Sequence, residues 1–436
     1  MKKVVMFIFL GFLSLGLVAC GNSKSEVEKI IDQAEKMTFD EIMEKAYEES
    51  QGKTLYGLGN SSRGKTAGES FVAEMVSRYP DYTGKIEWSQ PKENTIFQML
   101  ESDSKSVNPQ FGMTLIQDGA QIKSKMIDTK ILLNYVPKEW KEAEGTSMKD
   151  NGNPLALQTL SKVFMYNPGE GAGAVTFDNV WDFVNEGKRP MFMGLQSEPI
   201  GFNFLLMLTH ETYIPLVKSA FDALDQADKD YFKPHVDGLK AKATELDLPT
   251  NAEYALAWIK LWVKQMNVQT DDGPISNNLV QKSAAGQSAL IVYSKLRSVQ
   301  ETAESSVNNI KVAAYEPGYK GFGGYAYKHY LQVMKTSPLP WTSIAFINYM
   351  VTDAQGFNPW GKDMGGYSSN PTINQDHTKD GWVDNVNVYP AKNDRGYEWW
   401  LGLGDTEGRL VVEESTYAAS VSFTVGSWIE ELDGFR

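Results

Sequence analysis

The sequence predicts an α/β protein in two lobes, and three observations carry that expectation. From Thr54 to Tyr135 short apolar strand patterns alternate with helical patterns, the arrangement of a parallel sheet flanked by helices. The chain has 436 residues, and the 417 left once residues 1–19 are set aside are too many for one small core. Beyond Lys162 the pattern changes to a glycine-rich break, one more strand and a long helical stretch, which marks entry into a second unit.

The first element is a leader. Lys2 and Lys3 precede an unbroken apolar run from Val4 to Leu15, and small residues follow. A basic start, a short apolar core and small residues before a cut make a secretory signal. The core is shorter than the roughly 20 apolar residues of a spanning helix. Leu17-Val18-Ala19-Cys20 resembles the lipobox of bacterial lipoproteins. That resemblance implies removal of residues 1–19 and a membrane tether through lipid on Cys20. Residues 20–49 read as a polar tether and N-terminal helices, with Ile30, Ile31, Ala34, Ile42, Met43 and Ala46 at helical spacing.

Residues 50–164 are the expected first lobe. Thr54–Gly59, Lys85–Trp88, Phe111–Ile116 and Ile131–Tyr135 read as strands, with helices through Phe71–Tyr79 and Thr95–Leu100. Residues 165–310 are the expected second lobe. The strand Lys162–Pro168 leads into the glycine-rich loop 169–173, and Thr176–Phe183 reads as a short capped helix before the strand Lys188–Gly194. Residues 200–266 are largely helical, ending in a helix where Leu256, Trp258, Ile259, Leu261, Trp262 and Val263 are apolar nearly all round, as in a buried helix. After the strand Ser288–Tyr293, residues 311–355 return to the first lobe through Ile310–Pro317, the strands Tyr325–Tyr327 and Leu331–Met334, and a helix from Pro340 to Tyr349. The loop-rich, aromatic segment 356–436 belongs to neither lobe on sequence alone.

Composition excludes several classes. With 42% hydrophobic and 12% aromatic residues the chain is a packed globular protein, not a disordered one. The net charge of −13, or −15 without the two leader lysines, argues against nucleic acid and anionic lipid as partners. Cys20 is the single cysteine, which removes disulfides and thiolate metal sites. His210-Glu211 opens like a zinc-protease helix, but Ile214 stands where the second histidine is needed. No nucleophile elbow, phosphate loop or dinucleotide fingerprint occurs, and four scattered histidines make a metal cluster improbable. Neither a catalytic residue nor a cofactor is expected.

The order of segments resembles the substrate-binding proteins of bacterial ABC importers, in the class with the periplasmic-binding-protein type II fold. The likeness rests on the lipobox, on the strand, polar turn and helix of Leu55–Met75, and on Tyr166-Asn167-Pro168 followed by Trp181-Asp182-Phe183. It continues through Ser283–Leu290, through Val312–Gly318 with Gly324-Tyr325, and through Ser343–Thr352. The resemblance implies two lobes, each a mixed sheet flanked by helices, with a ligand cleft between them. Hinges are expected near Tyr166-Asn167 and Tyr315-Glu316-Pro317. It also implies a monomer that delivers a small polar solute to an ABC permease. Length and tryptophan content favour a carbohydrate. Sugar phosphate, polyamine and ferric ion are the alternatives on the same fold, although the adjacent tyrosine pair of the iron-binding branch is absent. A secreted carbohydrate-active enzyme using two carboxylates is the competing class.

Ligands in open α/β sheets sit beyond the carboxyl ends of strands, at helix starts. Four turns qualify: Asn60-Ser61-Ser62-Arg63, which suits an anion or sugar hydroxyls; Gln117 and Asp118; Gln196 and Glu198; and Tyr293. Trp88 and Tyr325 are candidate stacking platforms, with packing as the competing role. Simple capping by Ser61 or Ser62 and a plain turn at Asp118 compete with binding in the same way.

Overall fold

In a computed structural model, residues 24–436 are described, apart from 92–93, 197, 297–298, 300–309, 365, 375–394, 396 and 403–407. The leader and Cys20 lie outside the described residues. None of the described helices is long and apolar enough to cross a membrane.

The expected strands form and join one sheet. Its order is β2-β1-β3-β10-β5-β8-β6-β7, where β1 is Thr54–Gly59, β2 Lys85–Ser89, β3 Phe111–Ile116, β5 Ala156–Tyr166, β6 Met191–Met193, β7 Asn267–Gln269, β8 Ser288–Val292 and β10 Gly324–Met334. The short strands β4 (Leu132–Leu133) and β12 (Leu410–Val412) pair with β10, while β9 (Lys311–Val312) and β11 (Tyr367–Ser368) pair with β5. Parallel pairing, expected from the strand and helix alternation over residues 54–135, holds for β1 with β2 and β3, and also for β6 with β7 and β8. The centre is antiparallel. β10 runs against β3 at one end and against β5 along its length, and β5 runs against β8. A parallel neighbour needs a covering crossover, whereas strands returning between two halves come back antiparallel.

β5 and β10 span both halves, at 11 residues each and buried throughout. On one side, Ile42, Phe71, Phe346 and Trp360 belong to a core under β1, β3 and the end of β10. On the other, Phe164, Phe183, Trp258, Trp262 and Phe322 form an aromatic core, with Trp258 stacked on Trp262 at 5.1 Å. The helix Ala252–Gln265 buries its apolar residues there, Leu256, Trp258, Ile259, Leu261, Trp262 and Val263 among them, while Lys260 and Lys264 stay exposed. The separate strands expected at Tyr325–Tyr327 and Leu331–Met334 are the single strand β10. Lys328 and His329 interrupt the apolar pattern, yet both are buried: Lys328 Nζ donates to the Asp150 carbonyl at 2.6 Å, and His329 Nδ1 meets Gln158 Nε2 at 2.9 Å.

The 356–436 segment, expected to be loop-rich, contributes structure to both sides. Helix Ala354–Met364 packs on helix Pro340–Thr352 in the first core. β12 adds to β10 at Gly324–Ala326, and helices Ser415–Val421 and Thr424–Glu430 pack on helix Pro199–Met207.

Candidate functional site

Two strand ends from opposite halves face each other across a cavity of about 730 Å³. On the first side β3 stops at Ile116, and Asp118 caps the next turn by accepting from Gln121 N at 3.0 Å. Gln121 and Lys125 line the wall beyond it. On the second side β6 stops at Met193, and a turn through Gln196 and Glu198 leads into helix Pro199–Met207, with proline at the helix start as its missing N–H allows. Gln196 and Asn203 line that wall, and the helices at 415–430 close the third side with Phe423 and Glu430.

The floor is a buried polar junction. The Asn203 amide donates from Nδ2 to Asp118 Oδ1 at 3.0 Å and to Glu413 Oε1 at 3.1 Å, one N–H for each carboxylate. Glu413 Oε1 also accepts from Gly119 N at 3.1 Å, and Oε2 accepts from Lys328 N at 3.0 Å and Tyr330 Oη at 3.1 Å. One carboxylate thus ties the Asp118 turn, the crossover strand β10 and a helix of the second half. Burial, and after it the charge of Asp118, push its pKa up to about 7.

Two of the sequence-derived candidates meet in this cavity: Asp118 and Gln196. The others do not line it. In the first turn, Asn60 Oδ1 accepts from Gln117 N at 3.1 Å, Ser61 Oγ accepts from Arg63 N at 3.3 Å, and Ser62 is exposed with no capping bond. Gln117 is half-buried beside it, and so is Glu198 at the start of the Pro199 helix. Trp88 packs rather than offering a platform. Its indole Nε1 donates to the Ser61 carbonyl at 2.9 Å, and its ring lies so close over Gly57, Gly59 and Gly64 that a Cβ on Gly64 would come within 1.9 Å of it. Tyr325 is fully buried against Phe204, ring centroids 5.4 Å apart, and its hydroxyl has no hydrogen-bond partner among the described residues; burial raises its pKa well above 10.0.

Tyr293 goes elsewhere. It is 2% exposed, packs on Trp400 and places its hydroxyl 2.9 Å from that of Tyr315, on the expected hinge. The Arg395 guanidinium lies 4.8 Å from the Tyr315 ring centroid. Nearby, Tyr166 donates to Glu316 at 2.9 Å. Asn203, Glu413 and Phe423 were missed by sequence reasoning, because an asparagine inside an apolar helix, a glutamate after a short strand and a lone phenylalanine carry no motif.

No family model and no curated protein matches this chain. Solved structures do. The ferric binding protein from Campylobacter jejuni matches with a TM-score of 0.56 at 12% identity, over 88% of this chain and 100% of its own. The fold is that of the type II periplasmic binding proteins. A substrate-binding protein of an ABC transporter from Agrobacterium tumefaciens matches at 0.54 and 10% identity, over 88% of this chain and 95% of that one. FutA (IdiA) from Trichodesmium, in complex with iron and citrate ligands, matches at 0.51 and 11%, over 88% and 100%.

Proposed function

We propose that this protein is an extracytoplasmic solute-binding protein, held at the membrane through lipidated Cys20, that closes on a small polar solute and delivers it to an ABC permease. The observation that carries the reading is the cavity between the two halves. Its volume of about 730 Å³ falls in the range of small-molecule sites, and its lining mixes apolar walls with a few convergent polar groups. Binding by closure makes and breaks no covalent bond, so no catalytic group is called for.

For the cargo, the names of several neighbours speak for ferric ion ahead of the carbohydrate expected from length and tryptophan content. Among the described residues no group of three or more His, Cys, Asp and Glu could hold a metal. Folding also brings two phenols together, outside that cavity. Tyr293 and Tyr315 stand 22 residues apart in sequence with their hydroxyls in contact, a tyrosine pair made in space rather than in sequence. The Arg395 guanidinium, 4.8 Å from the Tyr315 ring centroid, places a cation beside the pair.

Adding ferric citrate to the mature chain tests this. A visible phenolate-to-iron charge-transfer band is expected, and Tyr293→Phe should abolish it. No band, together with a thermal shift from sugars, would return the assignment to carbohydrate. Hydrolysis of a glycan without any binding shift would overturn transport altogether.

A further inference from the structure

Burying two carboxylates on one amide is unfavourable unless a cation or a proton offsets their repulsion. Asp118 and Glu413 share the Asn203 amide, and both are 1% exposed. Lys328 bonds to Glu413 through its backbone N–H, and its Nζ, which donates to the Asp150 carbonyl at 2.6 Å, brings a positive charge that offsets part of the repulsion at Glu413. The other titratable groups facing Glu413 are Tyr325, Tyr327 and Tyr330 of β10, all buried, and none supplies positive charge. The adjacent Glu414 adds a further negative group toward Lys328 and Tyr330. Burial and Asp118 still outweigh that charge, and a proton on Glu413 supplies the rest. Tyr330 accommodates it, because a hydroxyl that donates to Glu413 Oε2 at 3.1 Å can equally accept from it.

We propose that Glu413 is a proton-operated positioning residue: when protonated it fastens the Asp118 turn to β10 and to helix Pro199–Met207, and when ionised it loosens them. The inference uses the cavity of the proposed function but no particular cargo. Its consequence is that the rigidity of the cavity floor, and with it solute retention, falls as pH rises through neutrality. The sign follows from linkage. The closed junction holds its proton up to about pH 7, whereas the opened, solvated glutamate loses it near 4.5, so each step up in pH across that window favours opening.

Hydrogen–deuterium exchange on the intact, cargo-free mature protein tests this without any ligand. The amides of Gly119 and Lys328 both donate to Glu413, so peptides covering 117–121 and 326–330 report on it directly. Corrected for intrinsic exchange, opening of these amides should rise about tenfold from pH 6 to pH 8. Glu413→Gln, which carries no titrating proton, should abolish the difference, whereas a purely packing role would leave it in place. Asp118→Asn should move the midpoint to lower pH by removing the neighbouring charge. A tenfold change that persists in Glu413→Gln overturns the proposal. Should that variant fail to fold, an unmoved midpoint in Asp118→Asn overturns it instead. Absence of iron or sugar binding bears on the cargo assignment and leaves this result untouched.

Discussion

Two polar turns leave the same edge of the same parallel strands, and they meet opposite fates. Asn60–Arg63 follows β1 and satisfies itself within its own half. Asn60 takes the Gln117 amide, its carbonyl takes Gln90 Nε2 at 3.0 Å, and the Ser61 carbonyl takes the Trp88 indole. Gln117–Gln121 follows β3, and its Asp118 reaches across to Asn203 in the other half. A polar turn at a strand end is a cap when its partners are local. It is a site component when a partner comes from the facing lobe. The difference lies in what stands opposite, not in the turn.

The largest break in that comparison is Asn203→Leu. It deprives two buried carboxylates of their shared donor, and charged groups left short of a partner cost more than neutral ones, so unfolding free energy should fall by about 3 kcal/mol. Urea denaturation measures it. A loss no greater than that of Ser61→Ala, whose hydroxyl makes one local bond at 3.3 Å, would erase the distinction between the two turns.

Gly64→Ala comes next and probes the self-contained turn. The added methyl would overlap the Trp88 ring at 1.9 Å, and overpacking of this kind costs about 2 kcal/mol. Cargo affinity at the cavity should stay within about twofold, measured by titration of the folded variant, because Trp88 does not line it. An affinity loss larger than that would place Trp88 in the site after all.

This contrast also marks what the residues could disclose before folding. β1 and β3 were legible to the residue, since six-residue apolar runs ended by polar turns have one reading. The buried helix at 252–265 was legible for the same reason. β10 was split in two because Lys328 and His329 break the apolar count, and only the folded chain shows the partners of Lys328 Nζ and His329 Nδ1. Asp118 and Gln196 were found through strand-end logic, which is local. Asn203 and Glu413 were not, because their role exists only once segments 85 and 210 residues away are brought against Asn203. Tyr293 and Tyr315 make the same point: a search for adjacent tyrosines passes over a pair assembled by the fold.

The smallest expected effect is the most diagnostic for the third wall. Phe423 lines the cavity yet is 84% exposed, so it contributes little to the core. Truncation to alanine should leave stability within about 0.5 kcal/mol, as for other exposed positions. A ring at the rim of a cavity gains contact only when a solute fills it, and such contacts are worth about 0.5–1.5 kcal/mol. Phe423→Ala should therefore weaken binding of a solute held in this cavity by about threefold to tenfold. Fluorescence titration beside a denaturation curve separates the two quantities. Unchanged affinity with unchanged stability would confine recognition to the two facing strand ends and reduce the C-terminal helices to a prop for Glu413. A loss of stability with no loss of affinity would make Phe423 a packing residue, and the third wall would no longer belong to the site.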